Sequence, residues 1–324
     1  MRPFALARPR GLAEAIELLA PEVTAMAGGT DLLGLMKAGI AAPERIVDLT
    51  AIDGLRGWSR EPAGGLDIGA LTPLADIEGS AELRELVPIV PAALADAATP
   101  QLRAMGTVGG NLLQRNRCWY YRDEAFPCWL KGGTTCFARE GEHRIHAVIG
   151  TRECIAASPG DLAPALIACD ASIELRSAAG DRELPLGDLY VVPHDDDRRE
   201  HALLPGEIIT KVRLPATALA RRGVYLKQMD RKAWSFALVS VAASARVDDR
   251  GIARDVRIVL AGVAPTPWRA AAAEAMLEGV ILSERSCAEA GRLAMDGAEP
   301  LPQNAYKVPL AAELVCRALL SLTA

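Results

Sequence analysis

Residues 116–154 constrain this chain more than any other stretch. They hold Cys118, Cys128, Cys136 and Cys154, four of the seven cysteines in 324 residues. Intervals of nine, seven and seventeen residues separate them, so no pair has the C-x2-C spacing of zinc ribbons or bacterial ferredoxins. Seven basic side chains run from Arg115 to Arg152 (Arg115, Arg117, Arg122, Lys131, Arg139, Arg144, Arg152) against four acids. Trp119, Tyr120, Tyr121, Phe126, Trp129 and Phe137 can form an apolar shell, and Gly132 and Gly133 let the segment bend round a compact object. A four-thiolate [4Fe–4S] centre carries net negative charge that a basic surround stabilises. Such a centre accounts for the sulfur, the charge and the aromatics together.

Other readings stay open. Structural zinc suits four cysteines but does not favour a basic shell. Two disulfides suit a secreted protein, and four unrelated thiols fit the clustering least. Cys169, Cys287 and Cys316 are scattered in apolar or helical runs and read as core. His143 and His146 read as surface residues or as groups behind the sulfurs, because four cysteines already complete a ligand set.

The odd cysteine count and the chain length argue against a disulfide framework and for a reducing compartment. Half of the residues are hydrophobic and 24% are charged, enough to bury a core as one large domain or two ordinary ones. A net charge of -5 excludes a general nucleic-acid binder. No apolar run is long enough to span a bilayer, so no membrane role is expected. The first twenty residues lack an apolar stretch followed by a small-residue cleavage site and read as mature sequence.

Leu12, Ile16 and Leu19 predict an amphipathic helix over residues 11–20. "VTAMAGGTDLLGLMKAG" follows as an apolar run, a Gly-Gly turn and a helical pattern. Strands are predicted in "ERIVDLT", "GLDIGALTPL", "ASIELRS" and "GEIITKVRLP". Residues 81–98 read as a helix interrupted at Pro88 and Pro91. "SPGDLAPALIACDA" reads as a turn and a short helix, and His194 to His201 as a charged surface loop. After "LPATALARRG", three strand-like runs precede helical patterns, the mark of a separate α+β domain. The boundary is set at 218/219, giving units of 1–218 and 219–324.

Two Gly-Gly pairs, in "AGGTDL" and "TVGGNL", read as tight turns whose N–H groups can cradle a pyrophosphate, assisted by the Thr30 hydroxyl and the Asn111 amide. Neither matches the dinucleotide fingerprint or the Walker lysine motif. Two ordinary turns are the plain alternative.

"AGGTDL", "GTVGGNL", "PGDLAPALIA" and "GEIITKVRLP", in this order, resemble the FAD-binding medium subunit of the molybdenum hydroxylases, over essentially the whole chain. The cysteine segment resembles the subset of that family with a [4Fe–4S] insertion, closest to the aldehyde oxidoreductase type. The resemblance implies an α+β fold: a two-subdomain FAD-binding domain carrying the cluster at 115–154, then a small α+β flavoprotein domain. It implies that Ala27, Gly28, Gly29, Thr30, Asp31 and Leu32, with Gly106, Thr107, Gly109, Gly110 and Asn111, hold the FAD pyrophosphate, with Gln114 on the same wall. Asp161 would bind hydroxyls near the ribityl chain or phosphate. Ile208 and Ile209 would pack near the adenine or the ring system, Lys227 near the flavin edge, and Tyr190 near the isoalloxazine. Cys118, Cys128, Cys136 and Cys154 would ligate the cluster, and no residue is assigned as a general acid or base. The implied partners are a large molybdenum-cofactor subunit and a small subunit with [2Fe–2S] clusters, possibly as a dimer of heterotrimers. Electrons would pass through FAD to an external acceptor. Cytoplasmic residence is the simpler expectation, with export beside a signal-bearing partner as the alternative. An FAD-only subunit and a nucleotide-binding protein with structural zinc remain the competing readings.

Overall fold

The structure is a computed structural model describing residues 1–231 and 234–323. Among the described residues the strands form three sheets. Strands β1 (Ala5–Ala7), β2 (Val23–Met26) and β3 (Arg45–Asp48) make a parallel sheet in the order β1-β3-β2. Parallel neighbours need crossovers, and the helices Leu12–Leu18 and Leu32–Lys37 lie in them. Strands β4 (Trp58–Arg60), β5 (Leu66–Gly69), β6 (Ser172–Ser177), β7 (Gly180–Pro185) and β8 (Ile208–Leu214) form an antiparallel sheet in the order β4-β5-β8-β6-β7. Strands β9 (Arg222–Gln228), β10 (Val239–Val247), β11 (Ala253–Ala261) and β12 (Trp268–Arg269) form the third, also antiparallel and sequential.

The third sheet is buried on both faces. Val241 and Ala243 face the helices Ala271–Leu277, Glu284–Ala294 and Lys307–Ser321, whereas Ala242 between them joins the core of the five-stranded sheet. Successive strand residues point to opposite faces, so "VSVAASA" carries only small or apolar residues, all buried, because both faces are covered. Tyr225 and Val259 enter the same first core, packed with Leu94 and Leu166. Among the described residues, no helix is long and apolar enough to cross a membrane.

The predicted helix over 81–98 divides once. Ala81–Leu86 ends before Pro88, and Ile89–Ala95 begins after it. Pro91 sits inside the first turn of the second helix, where its missing N–H has no intrahelical partner to lose.

Candidate functional site

The turn at Ala27–Asp31 links β2 to the helix Leu32–Lys37. Gly29 takes φ +69°, in the left-handed region that glycine enters without a steric cost. A Cβ on Gly28 would lie 1.7 Å from the Met105 carbonyl oxygen, so only glycine allows the turn to meet the end of the helix Pro100–Met105. Among the described residues, the amides of Gly28, Gly29, Thr30 and Asp31 donate to no backbone carbonyl. Uncommitted N–H groups in one glycine turn make a nest for an anion.

The second Gly-Gly pair is not a turn. Gly109 and Gly110 lie inside the short helix Val108–Leu112, whose cap is Thr107: its hydroxyl accepts from the Gly110 N–H at 3.2 Å. The Gly109 amide donates to Ala70 O at 2.8 Å, and a Cβ there would sit 3.2 Å from the Ala70 methyl. These glycines let a helix dock closely on the end of β5. Gly106 donates to Leu102 O at 2.7 Å and closes the preceding helix.

Two cavities meet at these residues. One, of about 430 Å³, is lined by residues 24–32 with Thr107, Gly109, Gly110, Ile208 and Ile209. The other, of about 480 Å³, is lined by Gly106, Asn111, Gln114, Asp161, Trp234 and Phe236 among others. Thr30, Asp31 and Gly110 line both, so an elongated ligand can cross the glycines with one end in each chamber. The Asn111 side-chain oxygen, on the wall of the second chamber, is buried without a hydrogen-bond partner. Such an acceptor calls for a donor from a ligand or water. These observations fit a dinucleotide cofactor.

The surrounding side chains are less free than the sequence implied. The Asp31 carboxylate pairs with Arg117 at 2.8 Å and Arg122 at 2.7 Å, and accepts the Arg115 N–H at 2.9 Å. It thus fastens the first glycine turn to the cysteine segment. Both Asp161 oxygens are engaged, by Tyr225 at 2.6 Å and Lys227 at 2.9 Å. Burial pushes the Asp161 carboxyl up, and these two partners oppose that. Lys227 lines neither chamber; its side chain is 1% exposed and ties β9 to the Leu162–Ile167 helix. Tyr190, expected near the flavin ring, packs against the core and donates to Leu112 O at 3.1 Å. Gln114 accepts from Arg117 at 3.0 Å and lines the second chamber.

The four cysteines of the central segment line one small cavity, walled by Tyr120, Tyr121, Trp129 and Phe137. Cys118 begins the short helix Trp119–Arg122, and Cys128 pairs across a bridge with Thr135. The tight return between Cys128 and Cys136 requires glycine: Gly132 has φ +98°, and a Cβ on Gly133 would fall 1.8 Å from Pro127 O. All seven cysteines are free thiols. Burial, with Cys128 and Cys136 nearby, pushes the Cys118 thiol up to about 11, and burial raises Cys154 further. Thiols in this setting ionise when a metal displaces their protons. No three His, Cys, Asp or Glu side chains among the described residues are placed to hold a single metal ion.

Three expectations for this segment need correction. The basic residues do not line the cavity. Arg115 pairs with Glu200, Arg117 and Arg122 with Asp31, and Arg144 with Asp230. The excess of positive charge is largely spent on acids brought in from distant sequence. Of the two readings of the histidines, the surface one falls: His143 and His146 are both buried, and His146 Nε2 lies behind the sulfurs at 3.2 Å from Cys118 Sγ. Burial, reinforced by Lys307 and His143, pushes the His146 imidazole down to about 4, which leaves it neutral. The 194–201 loop is also more than a solvated surface. Arg198 donates to Trp129 O and Gly133 O and covers the Trp129 ring, and Glu200 accepts from Asn116 at 2.9 Å.

Lys307 and Asn304, which no sequence signal marked, hold the far side of this segment. The Lys307 side chain is fully buried and donates to Ile145 O at 2.8 Å and Gly262 O at 2.6 Å. Asn304 donates to Ala147 O at 3.1 Å.

A glycine nest and a capped glycine helix flanking a two-chambered cleft define a protein that binds an elongated dinucleotide cofactor. Residues 2–217 match the family described as the FAD binding domain in molybdopterin dehydrogenase, and residues 224–322 the CO dehydrogenase flavoprotein C-terminal domain. The chain belongs to the FAD-binding medium subunits of the molybdenum hydroxylases and is an oxidoreductase subunit. It is 40% identical over 294 residues to the aldehyde oxidoreductase FAD-binding subunit of Escherichia coli, covering 90% of this chain and 88% of that one. It is 27% identical over 319 residues to the carbon monoxide dehydrogenase medium chain of Hydrogenophaga pseudoflava, covering 96% and 94%. A solved structure of carbon monoxide dehydrogenase from that organism, lacking the Mo-pyranopterin moiety, superposes with a TM-score of 0.78 at 26% identity, covering 99% and 97% of the two chains.

Proposed function

We propose that this chain is the electron-transfer subunit of an aldehyde-oxidising complex, holding FAD in the two-chambered cleft and a [4Fe–4S] cluster on Cys118, Cys128, Cys136 and Cys154. The observation that carries the cluster is the lining of one apolar cavity by all four thiols. A single zinc ion would need its sulfurs within roughly 4 Å of each other. Among the described residues no three such side chains are placed for one metal ion, so the support for a larger group with one thiolate per corner is the shared cavity.

In this reading the amides of Gly28–Asp31 bind the pyrophosphate, and the Gly106–Asn111 segment, whose amides are largely engaged within the protein, forms the facing wall. Asn111 accepts from a cofactor hydroxyl, and Ile208 and Ile209 exclude water from the first chamber. Asp161 orients the wall of the second chamber through its bonds to Tyr225 and Lys227. Bound FAD and the cluster supply the electron-carrying chemistry. Asp31, shared between the glycine turn and Arg117 and Arg122 of the cysteine segment, keeps the two sites in fixed relation. Units 1–218 and 219–324 are the proposed domains. A large molybdenum-cofactor subunit and a small [2Fe–2S] subunit are the proposed partners, in a cytoplasmic complex.

The test is an anaerobic ultraviolet–visible spectrum with iron, sulfide and zinc counted against flavin. About four irons per flavin are expected. Cys118→Ser should lose iron, and Cys316→Ser, outside the cavity, should retain it. Flavin without iron would leave an FAD-only subunit, and zinc without iron would refute the redox role of the segment.

A further inference from the structure

The lining of the cysteine cavity includes an imidazole that the ligand set does not use. His146 lines it with Nε2 at 3.2 Å from Cys118 Sγ. Its other ring nitrogen, Nδ1, is buried and has no hydrogen-bond partner. The ring is held in place: Trp119 packs edge-on at 5.7 Å, and the His146 amide donates to His143 O at 2.9 Å. The segment on either side is anchored from the C-terminal unit, by Lys307 on Ile145 O and by Asn304 on Ala147 O.

From this geometry we infer that His146 is a positioning residue for the proposed cluster, donating an Nε2–H hydrogen bond to the Cys118 sulfur and raising the cluster's reduction potential. The inference rests on the cluster assignment above. A metal-bound thiolate has no proton to give, so the contact forms only with the proton on Nε2, and Nδ1 is left as the bare acceptor. Hydrogen bonds to cluster sulfurs stabilise the reduced, more negative state, and they are among the levers by which a protein sets the potential. The same contact fixes the Cys118 rotamer before metal arrives, and Asn304, in the turn before the last helix, and Lys307, at its start, hold His146 in register.

The test uses the assembled complex. Redox titration of the cluster, followed by electron paramagnetic resonance, is compared for the parent, His146→Leu and His146→Gln. The leucine variant should show a reduced-to-oxidised ratio about tenfold lower at a given potential, equal to about 59 mV for one electron. Glutamine, which keeps an N–H donor at similar reach, should recover most of that change. Pulsed resonance on parent protein carrying 15N-histidine should show a histidine nitrogen coupled to the reduced cluster, a readout that does not depend on any variant folding or loading. An unchanged potential in an iron-replete His146→Leu, or no nitrogen coupling in the parent, would overturn the role of His146 and leave the cluster assignment standing. A parent without iron would overturn both. Should the leucine variant fail to load iron, the glutamine variant and the labelled parent decide the question.

Discussion

Replacing Gly28 with alanine tests the glycine nest directly. The new Cβ would lie 1.7 Å from Met105 O and 2.7 Å from the Met105 carbonyl carbon. Both are backbone atoms, so no rotamer can relieve the overlap, and the turn must withdraw from the Met105–Gly106 seam by more than an ångström. Overpacking usually costs 1–3 kcal/mol, and a collision between two backbones belongs at the upper end, about 3 kcal/mol. In a unit of this size that is roughly 6–12 °C in melting temperature if the clash is carried by the whole fold. If the turn gives way locally, the same energy appears as weaker FAD binding, roughly a hundredfold. Gly34→Ala, two residues into the next helix with open space around the new methyl, is the control. It should be neutral or stabilising by about 0.5–1 kcal/mol. The assay pairs the flavin-to-protein absorbance ratio with thermal unfolding. A Gly28→Ala protein with a full flavin complement and a melting point within about 2 °C of the parent would refute the packing argument.

The buried pair of Asp161 and Lys227 should behave as a unit. Lys227→Met strands the Asp161 carboxylate with Tyr225 alone and should cost about 3–5 kcal/mol, whereas Asp161→Asn combined with Lys227→Met should cost less than the two changes summed. Denaturant unfolding of the cycle checks this; strict additivity would mean that the pair is not coupled. Lys307 makes stability depend on pH in an unusual direction. Burial pushes it down to about 7, below the ordinary lysine value of roughly 10.4, so between those limits the unfolded chain holds the extra proton. Stability of the iron-free protein should therefore rise from pH 7 toward pH 10, by at most about 4 kcal/mol, relative to Lys307→Met. Parallel pH curves for the two proteins would contradict it.

Much of the local architecture was legible in the sequence because it depends on short-range chemistry. The strand at Ile208–Leu214 alternates and stops at Pro215, and the helix Glu284–Ala294 shows its capping box in two serines. The first glycine pair was read correctly as a turn, since the residues on either side change from strand to helical pattern. The second was misread. Glycines inside a helix and glycines in a turn look alike until one sees Ala70 pressing on Gly109.

Sequence alone determined which atoms are available: four thiols in one short segment, glycines where backbones must touch, and an order of motifs that marks the family. Tertiary structure decided how they are used. The arginines near the cysteines looked like a positive shell, but Asp31, Glu200 and Asp230 come from far along the chain to pair with them. The sequence names no partner for Lys227, and strand β9 carries it to Asp161. His146 read either as a surface residue or as a group behind the sulfurs, and the fold decides for the second, with the ring against a cysteine sulfur. Charges and hydrogen bonds act over a few ångströms of space rather than of sequence, so partners brought together from opposite ends of a chain become visible only once it has folded.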